Sequence, residues 1–145
     1  LKNAEFVRYG VMHRNTFLDS PRLLTQDMRC KALPHLFFAG QMTGVEGYIE
    51  SAASGYVAGL AATCRARGEE TPIFPKETMV GAMADYISHG GTGDFQPMNA
   101  NFGIIAPFDK KVKGGKKCRN EAYAERSLEI IRTAYGVFGE NENTH

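Results

Sequence analysis

The sequence predicts an α/β fold, and three observations predict it. Leu36-Phe37-Phe38-Ala39 is a continuous apolar run between Pro34 and Gly40, the pattern of a strand buried on both faces of a parallel sheet. A loop carrying Gly40, Gly44 and Gly47 follows it. Behind the loop, Ile49, Ala52, Ala53, Tyr56, Val57 and Leu60 recur at offsets 0, 3, 4, 7, 8 and 11, which is one face of an α-helix.

The remaining elements follow in chain order. Residues 5–8 and 22–25 read as two further short strands. Gly68 is the stop signal of the long helix. Ala52, Ser54, Gly55 and Gly59 would let that helix sit close to a neighbour, and each interior glycine costs up to ~1 kcal/mol against alanine unless such packing compensates. Thr71, Pro72 and Pro75 mark a connector. A second helix is expected over 77–88 with Val80, Met83, Ala84 and Ile87 on one face, and the glycine-rich run after His89 breaks it. Residues 95–108 read as irregular. A basic loop over 110–119 leads into a last helix, 121–135, with Ala124, Leu128, Ile131 and Tyr135 on its apolar face. The polar end, 139–145, reads as frayed. This divides the chain into residues 1–70, an α/β part, and residues 71–145, a helical and irregular extension of the same domain.

Composition narrows the class. The 145 residues are 43% hydrophobic and 23% charged, which argues against disorder over most of the length. A formal charge of +1 says nothing about partners, so any nucleic-acid contact must rest on a local patch. The chain begins at Leu1 without a charged segment and apolar run of the signal-peptide kind. No apolar stretch approaches the ~20 residues that span a bilayer. A cytoplasmic fragment of a longer chain, without a membrane partner, is the expectation. Cys30, Cys64 and Cys118 are scattered and form no CxxC, so neither a disulfide framework nor a zinc or other metal site is expected.

A strand, a glycine turn and a helix start are how α/β proteins aim backbone N–H groups at a ligand. The helix dipole contributes roughly 0.3–1 kcal/mol to a favourable charge when exposed. In a flavoprotein the recipient is the N1–C2=O edge of the isoalloxazine, which gains negative charge on reduction. The spacing here is not GxGxxG, however, and a tight turn with purely structural glycines fits the same residues.

The segments YGVMHRNTFLDSPRLL, LFFAGQMTGVEGYIESAASG and FQPMNANFGII together resemble the folate- and FAD-dependent tRNA (uracil-5-)-methyltransferase family, TrmFO, related to GidA. The resemblance runs in order over nearly the whole chain. It implies the C-terminal part of a two-dinucleotide-binding-type FAD domain, with the FAD-pyrophosphate fingerprint and the family's catalytic cysteines lying outside these residues. It also implies an enzyme that methylates the T-loop uridine of tRNA. Methylenetetrahydrofolate would supply the carbon, reduced FAD the electrons, and NAD(P)H would reload the flavin. A GidA-type enzyme acting on the wobble uridine is the alternative within the wider family. A non-catalytic, RNA-binding fragment of a truncated gene is the alternative outside it. The partners implied are tRNA and the missing N-terminal part of the same chain.

The resemblance assigns FAD contact to Gly40, Gln41, Thr43, Gly44, Gly47 and Tyr48. Tyr48 stands either near the isoalloxazine, as a catalytic candidate, or against the loop as packing. Glu50 reads as a dipole partner at the helix start. His13 is a second catalytic candidate, able to carry a proton near neutral pH, or else a hydrogen-bonded loop residue. Arg14 suits a folate carboxylate or a phosphate, and Asn15 neighbours it. Asn99 and Asn101 offer amides that read a pterin or uracil edge or cap turns. Lys116, Lys117 and Arg119 are candidates for RNA phosphates, with a solvated loop as the plainer reading, and no aromatic residue interleaves among them. Cys118 sits among the same cations, which would make its thiol reactive. Cys64 reads as a small core residue.

Overall fold

The computed structural model describes Glu5 and residues 16–90, 94–110 and 112–135. Among these residues are four α-helices, α1 (Ser20–Leu23), α2 (Tyr48–Arg67), α3 (Met79–His89) and α4 (Gly115–Tyr135), with a 3-10 turn at Gly40–Thr43 between α1 and α2.

The expected strands do not form among these residues. Phe37 makes a single antiparallel bridge with Arg29, and Leu24 another with Cys30. A strand exists only where a partner continues its ladder, and none of the described segments offers the Leu36–Ala39 run a parallel neighbour. Leu36 is accordingly 38% exposed. Residues 22–25 are also not a strand. Pro21 stands at the start of α1, where its missing N–H costs nothing, and Arg22 and Leu23 are helical. The expectation for residues 5–8 lies outside the described residues beyond Glu5.

The stretch between α1 and the 3-10 turn is a compact irregular knot. Thr25 and Cys30 donate backbone N–H groups to the carbonyls of Arg29 and Leu36, and Phe38 donates to Met28. Met28 has φ +63, a conformation costing roughly 1–2 kcal/mol for a residue with a side chain. Its side chain is fully buried in the main core, and that burial, about 1.5–3 kcal/mol, offsets the strain.

One core joins the two halves of the chain. Leu24, Met28, Val45, Val57 and Ala58 pack in a single cluster with Phe74, Met83, Ala84 and Ile87. A smaller cluster of Ala82, Ile105 and Tyr123 ties α4 to α3. In α3 the spacing reads through directly: Met83, Ala84 and Ile87 are buried, and Val80 is packed against them. Thr78 caps the helix by accepting the Gly81 N–H at 3.0 Å.

The long helix α2 ends as expected, with Gly68 at φ +72 accepting the left-handed turn. Its predicted face splits, however. Val57 is buried and Ala53 and Leu60 are packed on the core, whereas Ile49 is 81% and Tyr56 52% exposed. The buried stripe is Ser54, Val57, Ala58, Ala61 and Cys64, rotated toward the small residues that let α2 approach its neighbours.

The last helix departs further from expectation. It begins at Gly115, so Lys116, Lys117 and Arg119 are helical rather than in a loop. Ala124 and Leu128 are exposed, and Tyr123 is the buried anchor. Arg126 clamps the helix to the preceding segment, donating to the carbonyls of Ala106 and Pro107 and covering the Phe108 ring at 4.3 Å.

Candidate functional site

The glycine loop is shaped by its own backbone. Gly40, Gly44 and Gly47 have φ of +72, +91 and +107, a region where L side chains are strained. The Thr43 hydroxyl donates to the Gly40 carbonyl at 2.8 Å, and the Gly44 N–H donates to the Gln41 carbonyl at 3.0 Å. Ser54, fully buried on α2, accepts the Gly40 N–H at 2.8 Å and donates to the Ser51 carbonyl at 2.9 Å. The loop is thereby fastened to the helix it feeds.

A second segment is laced to the loop. Val45 forms a parallel bridge with Met98. The Met98 N–H donates to Gly44, and the Glu46 N–H donates to Met98, both at 3.0 Å. Asn99 donates from Nδ2 to the Glu46 carbonyl at 2.8 Å. Glu50, in the first turn of α2, accepts the Ala100 N–H at 3.0 Å. The two glycine- and asparagine-containing segments, 50 residues apart in sequence, therefore form one structural unit. Sequence reading gave Glu50 only a dipole role and assigned Ser54 only to close packing, because neither signal reveals a long-range hydrogen bond.

The expected site residues separate by exposure. Thr43 and Gly44 are buried beneath the loop, whereas Gln41, Gly47 and Tyr48 face outward. Tyr48 is 96% exposed, so it does not pack the loop. Asn101 turns its amide onto its own chain, donating to the Asn99 carbonyl and accepting the Gly103 N–H at 2.8 Å, a turn-capping geometry. His13, Arg14 and Asn15 lie outside the described residues.

The first N–H groups of α2 have no intrahelical partner, and Gly47 leaves no Cβ over them. A Cβ there would stand 2.3 Å from a Glu50 carboxylate oxygen. The Glu50 carboxylate therefore occupies the space at the start of α2, beside the exposed Tyr48 ring.

The basic residues belong to a different place. Lys116 and Arg119 line a cleft of about 630 Å³ that also contains Asn101, Phe102 and Tyr123. Lys117 lies apart and pairs with Glu121 at 3.9 Å. Sequence reading found no aromatic residue among these cations, yet the fold brings three rings to them from 102, 108 and 123. A third region, unanticipated from sequence, is a cleft of about 650 Å³ where Thr25, Asp27 and Arg29 face Arg65, Glu69 and His89. None of its lining residues belongs to the glycine loop.

Known proteins carry the same organisation of sequence. Residues 1–70 match the family model described as glucose inhibited division protein A. The chain is 58% identical over 132 residues to the methylenetetrahydrofolate–tRNA-(uracil-5-)-methyltransferase TrmFO of Anoxybacillus flavithermus, covering 91% of this chain and 30% of that protein. It is 58% identical over 137 residues to the TrmFO of Bacillus cytotoxicus, covering 94% of this chain and 31% of that one. The TrmFO of Bacillus cereus strain Q1 is 59% identical over the same length, with the same coverage. The chain thus spans about three-tenths of the length of the curated relatives it matches. Over more than nine-tenths of its residues the chain is thus similar, at 58–59% identity, to part of TrmFO proteins, and its first 70 residues to the family described as glucose inhibited division protein A.

Proposed function

We propose that these residues are the C-terminal part of a longer, FAD-dependent methylenetetrahydrofolate–tRNA (uracil-5-)-methyltransferase acting on the T-loop uridine. One observation carries the reading. The two segments that most resemble the family, 36–48 and 95–103, are held together by the Val45–Met98 bridge and the Glu50–Ala100 hydrogen bond, so the resemblance maps onto one built unit. The names of the relatives favour this reading over a wobble-uridine enzyme. The α/β dinucleotide-binding sheet, with its pyrophosphate fingerprint and catalytic cysteines, would belong to the upstream part of that chain. Residues 71–145 are then an extension of the same domain, a division supported by the shared core. The setting is cytoplasmic. No described helix is long and apolar enough to cross a membrane.

The residues present fit a flavin edge. Gly40, Gln41, Gly47 and Tyr48 supply the open rim of the loop, while Thr43 and Gly44 shape it from beneath. Bound there, FAD would supply the electrons that turn a transferred methylene into a methyl, with NAD(P)H as the source. The chain's own contribution would be orientation and charge: the dipole at the start of α2 would favour an anionic flavin edge, and the Glu50 carboxylate lying there would oppose it. Base chemistry requires the uridine to leave its stack. The exposed Tyr48 ring offers a planar surface to the folate or the base.

The test is the full-length protein, purified and assayed with methylenetetrahydrofolate, NAD(P)H and a tRNA transcript. The expected outcome is a yellow protein that methylates the T-loop uridine. Modification at the wobble position would replace this reading with the alternative, and a colourless full-length protein would end both. Residues 1–145 alone are expected to lack activity and the flavin absorbance band.

A further inference from the structure

We infer that the first turns of α4 form a ridge that binds an RNA phosphate backbone through Lys116 and Arg119, and that Lys117 takes no part. Lys116 and Arg119 stand at i and i+3 and line two clefts at once. One, of about 630 Å³, is shared with Phe102. The other, of about 680 Å³, is shared with Phe108, Lys110 and Lys113. Among the described residues no acidic side chain lines either cleft. Neither Lys116 nor Arg119 forms an ion pair among the described residues, whereas Lys117, one position along, pairs with Glu121 and lines neither cleft.

The ridge is therefore a place where like charges gather without internal neutralisation. Such an arrangement repels itself until an anion arrives, and a polyanion spanning both clefts neutralises several cations together with release of its counterions. The floor between the clefts is aromatic. Tyr123 stacks on Phe102 with centroids 5.9 Å apart and on Phe108 at 4.9 Å. Phe102 remains 38% exposed at the rim, placed to receive an unpaired base, as single-stranded and looped RNA is received elsewhere. Arg126 is excluded from this role because its guanidinium is committed to the carbonyls of Ala106 and Pro107. Asn101, in the segment laced to the glycine loop, lines the same cleft as Lys116. A strand held here lies beside the segment that is hydrogen-bonded to the glycine loop.

This inference rests on tRNA being the substrate, and the test separates the two. In the full-length protein, tRNA binding is measured at ionic strengths from about 50 to 200 mM for the wild type, Lys116→Ala/Arg119→Ala, Lys116→Arg and Lys117→Ala. Losing two phosphate contacts is expected to lower the slope of log affinity against log salt by about 1–2 and to raise the KM for tRNA. Lys117→Ala is expected to match the wild type, and Lys116→Arg to retain the wild-type slope. Flavin content read by absorbance shows that each variant is folded. An unchanged slope in the double variant, or an equal loss in Lys117→Ala, overturns the ridge. A flavin-bound wild type that methylates no tRNA overturns the functional reading instead.

Discussion

Helices α2 and α3 both carry interior glycines, and the two helices use them in opposite ways. Gly81 in α3 is pressed against the chain: a Cβ there would lie 2.0 Å from the Pro75 carbonyl oxygen and 2.4 Å from that of Phe74. Those atoms are backbone and cannot step aside. Gly55 and Gly59 in α2 have nothing within 4 Å of where a Cβ would stand. A helical glycine costs up to about 1 kcal/mol against alanine. In α3 that cost is recovered within the described residues, and in α2 it is not. The contrast separates a helix whose glycine is enclosed by this chain from one whose two glycines stand open among the described residues.

The sharpest way to break this comparison is Gly81→Ala. Overpacking against fixed carbonyls is expected to destabilise by roughly 3 kcal/mol, read as a lower denaturant midpoint of the full-length protein with an unchanged slope. A loss below about 0.5 kcal/mol would mean that the 74–75 segment yields, and that α3 is not the tightly closed element its geometry describes.

What could be read from sequence follows the same division. In α3 the 3.6-residue period and the glycine-rich break after His89 pointed one way, and the helix lies within two residues of its expected bounds. In α2 the period found the helix, but it could not tell which apolar residues meet this chain and which meet something else. Ile49 and Tyr56 share the apolar face on pattern alone, yet both are exposed, and only Tyr56 of the two reaches a core ring, that of Phe74. The Leu36–Ala39 run misled for a related reason. A buried-strand composition describes a run that needs a ladder, and within these residues Phe37 finds one bridge. At the candidate site the loop was legible because glycine at positive φ leaves a sequence trace. The Glu50–Ala100 and Ser54–Gly40 hydrogen bonds leave none.

A smaller effect sharpens the role of that junction. Ser54→Ala removes the acceptor of the Gly40 N–H at a fully buried position, at an expected cost of about 1–2 kcal/mol. Because the lost bond holds the start of the loop to α2, flavin content of the full-length protein should fall beyond what the stability loss explains. Ser54→Thr keeps a hydroxyl and tests whether the bond, rather than the volume, is responsible. Equal flavin content in Ser54→Ala and the wild type would detach the loop's fastening from cofactor binding.

The smallest expected effect decides the comparison itself. Ile49, Ala52, Tyr56 and Gly59 are all exposed and recur at steps of three, four and three along α2, so they share one face. An apolar residue 81% exposed, a half-exposed tyrosine and an open glycine together make a surface that solvent gives no reason to keep. The curated relatives contain more than twice as much polypeptide again outside the matched part, which is ample to cover it. In the full-length protein Gly59→Ala is therefore expected to lower Tm by an amount equivalent to about 1 kcal/mol, because the added methyl intrudes on a close helix contact. On an open face the same substitution stabilises by up to about 1 kcal/mol through helix propensity. The two outcomes differ in sign, so a modest thermal shift suffices. A rise in Tm would show that α2 presents this face to water in the whole protein, and that its glycines are not there to admit a neighbour.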